Sequence, residues 1–375
     1  MNIAIVCYPT FGGSGVLATE LGKALAEKGH QIHFITYQQP VRLSGFNPNI
    51  FYHEVLVPTY PLFDYPPYET ALAGTLVDVI SNYQIDILHV HYAIPHAAAA
   101  FMAKQIVRTM GRDIPVITTL HGTDITLVGK DKIYRPVVTF SMNESDALTA
   151  VSANLREETY KHFEIDKDIK VIHNFVDLDR FSQHSVESLK KQIAPNGEKI
   201  LMHASNFRPV KRVKDVIDIF IRVREQLPAK LVLIGDGPER PDIEAYIRSG
   251  KHSGDVRFLG KQEQMEIILP IGDLFLLPSD YESFGLAALE AMAAGVPVVS
   301  SNAGGLSEIN KERFSGYLCE VGDVDSMAKK SLEVLSTAES LMKFKNAARE
   351  QAMQFSIHRI VPQYENLYQE LIRKN

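Results

Sequence analysis

Two glutamates, Glu282 and Glu290, bracket a run of small apolar residues within 281–299. A carboxylate can accept hydrogen bonds from two adjacent hydroxyl groups, so each glutamate suits a ribose or a sugar ring. Eight residues of helix span about 12 Å, which is the scale of a nucleotide sugar from ribose to hexose. The segment therefore predicts a nucleotide-sugar site. The alternative is that Glu290 is an exposed helix residue and Glu282 a capping acid.

The surrounding residues predict the elements that hold these glutamates. Residues 274–277 form a short apolar run typical of a buried strand, and 285–294 have the composition of a buried helix. Glu282 then lies in the loop before the helix, and Glu290 lies about one turn inside it. The helix N-terminus would meet a phosphate between the two sugars, because its N–H groups and its dipole favour an anion.

Basic residues and glycines precede two other helices of the second half. The basic patch that follows the predicted strand at 200–204 consists of Arg208, Lys211, Arg212 and Lys214. Cations at a helix N-terminus oppose the helix dipole, so the patch predicts a nearby anion such as a diphosphate. A solvated helix start is the alternative. GDGPE at 235–239 opens a helix too, and its glycines permit close approach of the backbone.

A glycine-rich turn follows the first predicted strand. FGGSG, at 11–15, opens a helix, so a ligand could approach the backbone and an anion would be favoured there. The turn lacks the G-x-G-x-x-G pattern, and the second strand ends in Thr36 and Tyr37 without an acidic residue. Both features argue against a nicotinamide cofactor. An ordinary tight turn is the alternative.

Histidines follow two further strands of the first half. HVHYAIPH at 89–96 invites a zinc interpretation, but alternate strand residues point to opposite faces, and partners with ligand spacing are missing. We expect His91 or Tyr92 to face a ligand and the other histidines to be structural. In TTLHGTDIT at 118–126, we expect His121 to point toward the ligand while Thr123 or Asp124 caps a helix.

The composition excludes several classes of protein. The 375 residues are 45% hydrophobic and 22% charged, which is typical of a globular protein with two domains. A net charge of -6 without a basic run argues against nucleic acid as a partner. Two isolated cysteines give neither a disulfide framework nor zinc spacing, which fits the cytoplasm. Neither a signal peptide nor a membrane span is predicted, and a homo-oligomer is left open.

Short β-rich runs alternate with helical patterns in both halves, which predicts an α/β fold with parallel, doubly wound sheets. The strands predicted in the first half are 2–7, 31–36, 87–91, 115–120, 147–151 and 169–173. The strands predicted in the second half are 200–204, 231–234, 256–259, 274–277 and 296–300. A polar stretch at about 176–199 predicts the domain boundary, and 327–374 is helical by pattern. Ligands are expected beyond the carboxyl ends of the strands.

Glu282 and Glu290, with FGL between them and AAGVPVV after them, resemble the E-x7-E motif of the retaining glycosyltransferases of family 4. FGGSG, the basic patch, GDGP and AGGLSEI match that family in order, over essentially the whole chain. The resemblance implies the GT-B fold, with two Rossmann-like domains whose parallel sheets face a central cleft. It implies an acceptor-side domain at 1–175, a UDP-sugar domain at 176–356, and a C-terminal helix at about 357–375 on the first domain. It also implies no metal.

The resemblance further implies roles by position. Glu290 would hold the ribose, Glu282 the donor sugar, and Arg208 and Lys211 the diphosphate, with His121 near the anomeric centre. All of these except Glu290 are the candidates for catalysis. Other implied donor contacts are Gly13, Asn206, Gly235, Phe284, Gly285 and Leu286. The candidate acceptor contacts are Ser14, Tyr92 and Thr119.

Within the family, CYPTFGGSG, HVHYAIPHA, TTLHGTDIT, HNFVD and SNFRPVKRVKDV resemble the branch that transfers GlcNAc from UDP-GlcNAc to the hydroxyl group of L-malate in bacillithiol biosynthesis. Ser205 and Asn206, where many members have Gly-Arg, support that branch. At least one cation should meet the carboxylates of malate, and Arg135 is a candidate whose position the sequence does not set.

The expected mechanism is front-face transfer with retention, in which a departing phosphate oxygen takes the proton of the attacking hydroxyl. Positioning and stabilisation of the leaving diphosphate would then supply the catalysis. Three alternatives stay open. The first is a family 4 transferase with a lipid or glycan acceptor, which the aromatic FDYPPYET at 63–70 would suit. The others are an epimerase like the UDP-GlcNAc 2-epimerases, which should lack the E-x7-E arrangement, and a non-catalytic nucleotide-sugar sensor.

Overall fold

The described part of the chain forms two compact units. The computed structural model describes residues 1–10, 12–57, 64–126, 128–181 and 186–374. Unit 1 consists of Met1–Asn174 and His358–Asn375, and unit 2 is Phe175–Ile357. Phe11 of FGGSG, Phe63 of FDYPPYET and residues 182–185 of the polar stretch lie outside the described residues.

Unit 1 is built on a sheet of seven parallel strands in the order β3-β2-β1-β4-β5-β6-β7. The strands are β1 (Asn2–Val6), β2 (Gln31–Thr36), β3 (Ile50–Glu54), β4 (Ile87–His91), β5 (Val116–Leu120), β6 (Ala147–Ala150) and β7 (Ile169–Val171). The central strands β4 and β5 are buried along their whole length, as expected for a parallel sheet covered on both faces. Their carboxyl ends meet at one edge of the sheet, where polar loops follow.

In the part of the chain that the structure describes, six α-helices of unit 1 precede the domain boundary. They are α1 (Gly13–Glu27), α2 (Tyr68–Tyr83), α3 (Ala98–Thr109), α4 (Thr123–Thr126), α5 (Arg135–Asn143) and α6 (Ala153–His162). The helices of unit 2 are α7 (Leu178–Phe181), α8 (Glu187–Ile193), α9 (Val213–Arg224), α10 (Arg240–Ser249), α11 (Met265–Ile268), α12 (Leu286–Ala293), α13 (Leu306–Ile309), α14 (Val324–Leu335) and α15 (Ala338–Met353). Among the described residues, none of the helices has the length and apolar character needed to cross a membrane.

The last helix, α16 (Ile357–Lys374), contributes to unit 1 from His358 onward. Tyr368 is fully buried, and its hydroxyl group lies 2.7 Å from Nδ1 of His89 in β4. Glu365 is hydrogen-bonded to Nε2 of His30 at 3.0 Å. A helix from the far end of the sequence therefore completes the core of unit 1 beside its central strand.

Unit 2 is built on a sheet of six parallel strands in the order β10-β9-β8-β11-β12-β13. The strands are β8 (Lys199–Ser205), β9 (Ala229–Gly235), β10 (Val256–Gly260), β11 (Leu274–Leu277), β12 (Val298–Ser301) and β13 (Gly316–Cys319). The order changes direction at β8, between β9 and β11. In sheets of this kind ligands bind beyond the carboxyl ends of the strands at such a switch point.

The two sheets confirm the predicted α/β class, and β2, β4 and β11 have the predicted bounds. Two strands escaped prediction. β3 lies at a sheet edge and is only partly buried, so its residues IFYHE lack a clear apolar alternation. β13 has four residues and is also an edge strand, too short for a periodic signal.

Candidate functional site

In unit 2, Glu282 lies in the loop between β11 and α12 and is held by two side chains. Its Oε1 accepts a hydrogen bond from Nζ of Lys211 at 2.7 Å and another from Oγ of Ser279 at 2.9 Å. Ser279 is fully buried, whereas Glu282 keeps part of its surface exposed. Both contacts engage the same oxygen, so Oε2 has no hydrogen-bond partner among the residues that the structure describes. Oε2 is therefore the carboxylate oxygen of Glu282 that can still accept a hydrogen bond.

The predicted basic patch separates into residues with different surroundings. Arg212 is bound to Asp215 at 2.7 Å and to Asp280 at 3.0 Å, which fixes the start of α9. Lys211 ends a short 3-10 turn and forms the ion pair with Glu282. Arg208 is exposed, and within the described ranges it has no ion-pair partner. Lys211, Arg208 and the exposed Lys214 at the start of α9 are thus the cations of the patch that an anion could recruit.

Gly285, just before α12, occupies a left-handed conformation with φ of 97°. A Cβ atom there would lie 2.5 Å from Cδ2 of Leu306, so a larger residue would be excluded by packing as well. Phe284 and Gly285 are buried and Leu286 is half-buried, so little of this turn is exposed. Glu290 lies one turn into α12 and is half-buried, on the helix whose N-terminal N–H groups lack helical partners.

The glycines of GDGP lie against the loop that carries Asn206, which is exposed. A Cβ atom on Gly235 would lie 1.9 Å from the carbonyl oxygen of Ser205, and one on Gly237 would lie 1.9 Å from that of Asn206. The close approach that these glycines permit is therefore to the chain's own backbone. Gly235 and Gly237 fix the loop after β8. This packing role does not depend on any contact between Gly235 and a ligand.

Gly237→Ala should lower the stability of unit 2. The added methyl group meets backbone atoms that cannot rotate away, so overpacking should cost about 2 kcal/mol and lower the melting temperature by roughly 4–8 °C. Gly254→Ala is the matched control, because no atom lies within 4 Å of the added methyl group. Scanning calorimetry of both variants tests this. Equal melting temperatures would show that the loop yields at little cost.

A buried histidine, His203 in β8, was not predicted as part of the site. Its Nδ1 donates to the carbonyl oxygen of Leu276 at 2.9 Å, so its Nε2 must accept from Oγ of Ser205 at 2.8 Å. Burial lowers the pKa of His203 to about 4. Oγ of Ser205 in turn accepts from the N–H of Phe207, which has a positive φ of 35°. These hydrogen bonds hold the loop that carries Asn206 and Arg208. The sequence does not predict them, because a single histidine in an apolar strand has no recognisable pattern.

In unit 1, the glycine-rich turn and the loop after β4 are joined by one hydrogen bond. The hydroxyl group of Tyr92 donates to Oγ of Ser14 at 2.7 Å. Gly13 is exposed and is the first residue of α1, whose N-terminal N–H groups can bind an anion. Tyr92 and Ser14 both keep part of their surface exposed. The structure therefore brings together three of the predicted site residues, Gly13, Ser14 and Tyr92.

His121, in the loop after β5, is joined to this group through β4. Its Nε2 lies 2.8 Å from Nδ1 of His91, and the two rings stack with centroids 5.0 Å apart. The ring of Tyr92 lies 5.2 Å from that of His121. His91 is buried and His121 half-buried, so of His91 and Tyr92 it is Tyr92 that lines the exposed side. Burial lowers the pKa of His121 to about 3.

Asp124 binds backbone rather than a ligand. It is buried, with Oδ1 accepting from the N–H of Gly122 at 3.0 Å and Oδ2 from that of Ala93 at 3.1 Å. Burial raises its pKa to about 6, against these hydrogen bonds, which lower it. Asp124 therefore ties the loop after β4 to the loop after β5, and so helps to hold Tyr92 and His121 in place.

Two of the acceptor candidates do not fit their predicted role. The side chain of Thr119 is fully buried, with its hydroxyl group 2.7 Å from both His89 Nε2 and Thr149 Oγ1. Thr119 alternates with its neighbours on β5 and faces the core, so it is a packing residue. Arg135 is exposed and donates to the carbonyl oxygen of His162 at the end of α6, so its guanidinium group is used elsewhere in unit 1.

The histidines do not form a metal-binding cluster. Across the described residues, no group of three or more His, Cys, Asp or Glu side chains could hold a metal ion. His89 is bound to Tyr368 and Thr119, and Nδ1 of His96 lies 2.5 Å from the carbonyl oxygen of His91. His89 and His96 are thus held by other residues of unit 1. His89 and His91 share a face of β4 and stack with centroids 4.5 Å apart, so opposite strand faces do not separate this pair as predicted.

Comparisons with known proteins match both units. Residues 11–180 match the model described as Glycosyltransferase Family 4, and residues 185–351 match that described as Glycosyl transferases group 1. The N-acetyl-alpha-D-glucosaminyl L-malate synthase of Bacillus anthracis is 45% identical over 100% of this chain and 98% of its own length. HepE of Anabaena, solved with UDP and glucose, has a TM-score of 0.83 at 19% identity, covering 99% of this chain and 100% of its own.

Sucrose-phosphate synthase of Thermosynechococcus elongatus also has a TM-score of 0.83, at 19% identity, and covers 100% of both chains. The two parallel-sheet units and these structural neighbours define the GT-B fold. The chain belongs to glycosyltransferase family 4, whose members retain the configuration of the transferred sugar.

Proposed function

We propose that the chain transfers GlcNAc from UDP-GlcNAc to the hydroxyl group of L-malate, giving GlcNAc-malate and UDP as the first step of bacillithiol biosynthesis. The observation that carries this proposal is the 45% identity, over the full chain, to the B. anthracis relative named for that reaction. The reaction belongs in a reducing compartment such as the cytoplasm, because Cys7 and Cys319 are buried free thiols.

Unit 2 is the proposed UDP-sugar domain. Glu290 accepts hydrogen bonds from the ribose, and Oε2 of Glu282 accepts them from hydroxyl groups of the donor sugar. Backbone N–H groups at Phe284, Gly285 and Leu286 meet the sugar and the phosphates at the start of α12. Asn206 and Gly235 add contacts from the loops after β8 and β9. The HepE complex with UDP and glucose supports a nucleotide-sugar site in this fold.

Lys211 and Arg208 are the proposed cations for the donor diphosphate. Arg208 is exposed, and Lys211 already lies beside Glu282, so a diphosphate bound there would share Lys211 with that carboxylate. Two cations and a helix N-terminus can balance the charge of the leaving group. We therefore propose that the reaction needs no metal ion.

Unit 1 is the proposed acceptor side. Ser14 and Tyr92 are joined by a hydrogen bond at the start of α1, and both can bind a carboxylate or hydroxyl group of malate. Gly13 offers a backbone N–H at the same helix N-terminus. His121 contacts the donor sugar near the anomeric carbon. Thr119 is fully buried and Arg135 is bound to the end of α6, so neither is proposed as an acceptor contact.

The proposed mechanism is attack of the malate hydroxyl on the anomeric carbon from the face that UDP leaves. The bond to the β-phosphate oxygen breaks as the new glycosidic bond forms, and that oxygen takes the proton of the hydroxyl group. A pair of carboxylates at the anomeric carbon, as in a glycosidase, is not needed. The protein contributes positioning and stabilisation of the developing charge on UDP.

UDP release from UDP-GlcNAc, measured with and without L-malate in the presence of EDTA, tests the proposal. We expect malate-dependent release and a product with the mass of GlcNAc-malate. Binding of UDP-GlcNAc without malate-dependent release would overturn malate as the acceptor; lipid or glycan acceptors would then be tried. An altered UDP-sugar without release of UDP would indicate an epimerase, and binding with no reaction would indicate a sensor. Loss of activity in EDTA that Mg²⁺ restores would refute metal independence.

A further inference from the structure

The contact between His91 and His121 joins a buried imidazole to a half-exposed one. Nδ1 of His91 and Nε2 of His121 are 2.8 Å apart, which is a hydrogen-bond distance between two ring nitrogens. Such a bond needs one N–H and one lone pair. Burial lowers the pKa of His121 to about 3 and that of His91 well below its usual value, so both rings are neutral at pH 7. Each ring then carries a single hydrogen, and the bond decides on which nitrogen it lies.

The other nitrogen of His91 sets the direction of this bond. Nε2 of His91 is buried and has no hydrogen-bond partner among the described residues. If His121 donated to Nδ1, His91 would carry its hydrogen on Nε2, where it would be an unsatisfied buried N–H. Unsatisfied buried N–H groups are rarer in proteins than unsatisfied acceptors. The arrangement therefore favours a His91 whose Nδ1–H donates and whose Nε2 is an unprotonated acceptor.

The orientation of the His91 ring is fixed by its neighbours. The ring of His89 stacks on it with centroids 4.5 Å apart, and His89 is itself held by the hydroxyl groups of Tyr368 and Thr119, each at 2.7 Å. The backbone of His91 is held as well, because its carbonyl oxygen accepts from Nδ1 of His96. The His91 imidazole thus packs against His89, which is held between β4 and α16. It therefore has little freedom to rotate.

We propose that His91 is a positioning residue, which holds His121 in the tautomer with its hydrogen on Nδ1. His121 then offers a hydrogen-bond donor to an oxygen atom of the substrate. It cannot take up a proton at that nitrogen, and its only lone pair is engaged by His91. This inference rests on the proposed function for the role of His121, and it deepens that function by excluding His121 as the base. The proton of the acceptor hydroxyl must then leave by another group, as the phosphate route requires.

The tautomer can be measured without any assumption about the reaction. In ¹⁵N-edited NMR of imidazole-labelled protein, with signals assigned through a His121→Gln variant, we expect Nδ1 of His121 to be protonated and Nε2 not. In His91→Leu, which removes the donor, the signals should move toward the Nε2–H form that a free histidine prefers. In His91→Asn, whose amide nitrogen can stand where Nδ1 stood, the wild-type pattern should persist. A protonated Nε2 on His121 in the wild-type protein would overturn the proposal outright.

The kinetics test the consequence for catalysis. His91→Leu should lower kcat for malate-dependent UDP release about tenfold, with little change in the KM for malate, because one oriented hydrogen bond is lost. His91→Asn should keep most of the rate. His53→Leu is the matched control, since it disrupts the comparable pair of His33 and His53, 2.9 Å apart elsewhere in unit 1, and should leave kcat unchanged.

If His91→Leu and His91→Asn lose the same amount of kcat, His91 is a packing residue and the positioning role is overturned. The same conclusion follows if His53→Leu loses as much kcat as His91→Leu. Failure of the proposed function has a different signature. The wild-type protein would then release no UDP with malate, while the NMR measurement would still decide the tautomer.

Discussion

Lys211→Met should lower kcat for malate-dependent UDP release by roughly 10²- to 10³-fold, which is the usual effect of removing one group that stabilises transition-state charge. Methionine keeps much of the length of the side chain and removes the ammonium group. The KM for malate should change far less, because the proposed acceptor residues lie in unit 1. Steady-state kinetics with both substrates varied separate the two effects, and a variant with the full rate would remove Lys211 from the mechanism.

The ion pair with Glu282 leaves two explanations for such a loss. Lys211 could stabilise the leaving diphosphate, or it could only hold Glu282, whose Oε1 it contacts at 2.7 Å. A double-variant cycle with Glu282→Gln separates them, because the glutamine amide keeps the contact with Ser279 but carries no charge. If Lys211 acts on the diphosphate, Lys211→Met should still lower kcat by about 10²-fold in the Glu282→Gln background. If it only holds Glu282, the second substitution should have no further effect.

A second lysine variant tests whether the loss of any positive charge from unit 2 lowers kcat. Lys191 in α8 is exposed and belongs to unit 2, so Lys191→Met removes the same charge from the same unit away from the candidate site. It should leave kcat within about twofold of wild type, since an exposed charge is screened within about 10 Å at ordinary ionic strength. A comparable loss in this variant would attribute the effect of Lys211→Met to net charge.

The local parts of the site could be predicted from the sequence. The strand β11, the loop with Glu282 and the helix with Glu290 depend on residues close together in the chain, so apolar periodicity and glycine positions were sufficient. The same holds for the placing of Ser14 at the start of α1 and of His121 after β5. Each of these predictions needs only the order of strand, loop and helix.

The partners of these residues depend on contacts between distant parts of the sequence. Lys211 and Glu282 are 71 positions apart, and His89 and Tyr368 are 279 apart. Nothing in the residues around Thr119 indicates that α16 covers β4 and β5, so the local sequence does not show that this threonine is buried. The tautomer proposed for His121 likewise depends on His91, which lies at the end of the adjacent strand β4. Such features follow from the packed fold.

The buried histidines of unit 1 should also make this unit sensitive to acid. Burial lowers the pKa of His89 to about 3, that of His96 to about 4, and that of His91 well below its ordinary value of 6.5. A folded-state pKa below the unfolded one means that the unfolded chain binds protons first as the pH falls. The stability that these neutral histidines provide is therefore complete above pH 6.5 and is lost as the pH falls toward 4. The pKa of Asp124 is raised to about 6 in the folded protein, from 3.8 in the unfolded chain. As the pH falls from 6 to 3.8, protonation of Asp124 therefore adds stability to the folded state.

The magnitudes favour the histidines. Burial also lowers the pKa of His33 to about 4 and that of His121 to about 3, so at least five protons are taken up only on unfolding. Each contributes about 1.4 kcal/mol per pH unit, and Asp124 offsets one of them. Between pH 6.5 and 5 the net loss is then on the order of several kcal/mol, comparable with the whole stability of many domains. Among its described residues, unit 2 contains one comparable histidine, His203, and should lose at most about a quarter as much stability per pH unit.

Calorimetry from pH 7.5 to 4.5 should accordingly show two unfolding transitions. The midpoint temperature of one should fall steeply as the pH falls, and that of the other should change little. Limited proteolysis should assign the first transition to unit 1. His96→Asn sharpens the test. Its amide nitrogen can keep the hydrogen bond to the carbonyl oxygen of His91, while the group that titrates is gone. Whatever this substitution does to stability at pH 7.5, it should reduce the pH slope of unit 1 by about 1.4 kcal/mol per unit and leave that of unit 2 unchanged. An unchanged slope for unit 1 would mean that its core admits protons without unfolding, and the neutral hydrogen-bonded histidines could not then be what makes it acid-sensitive.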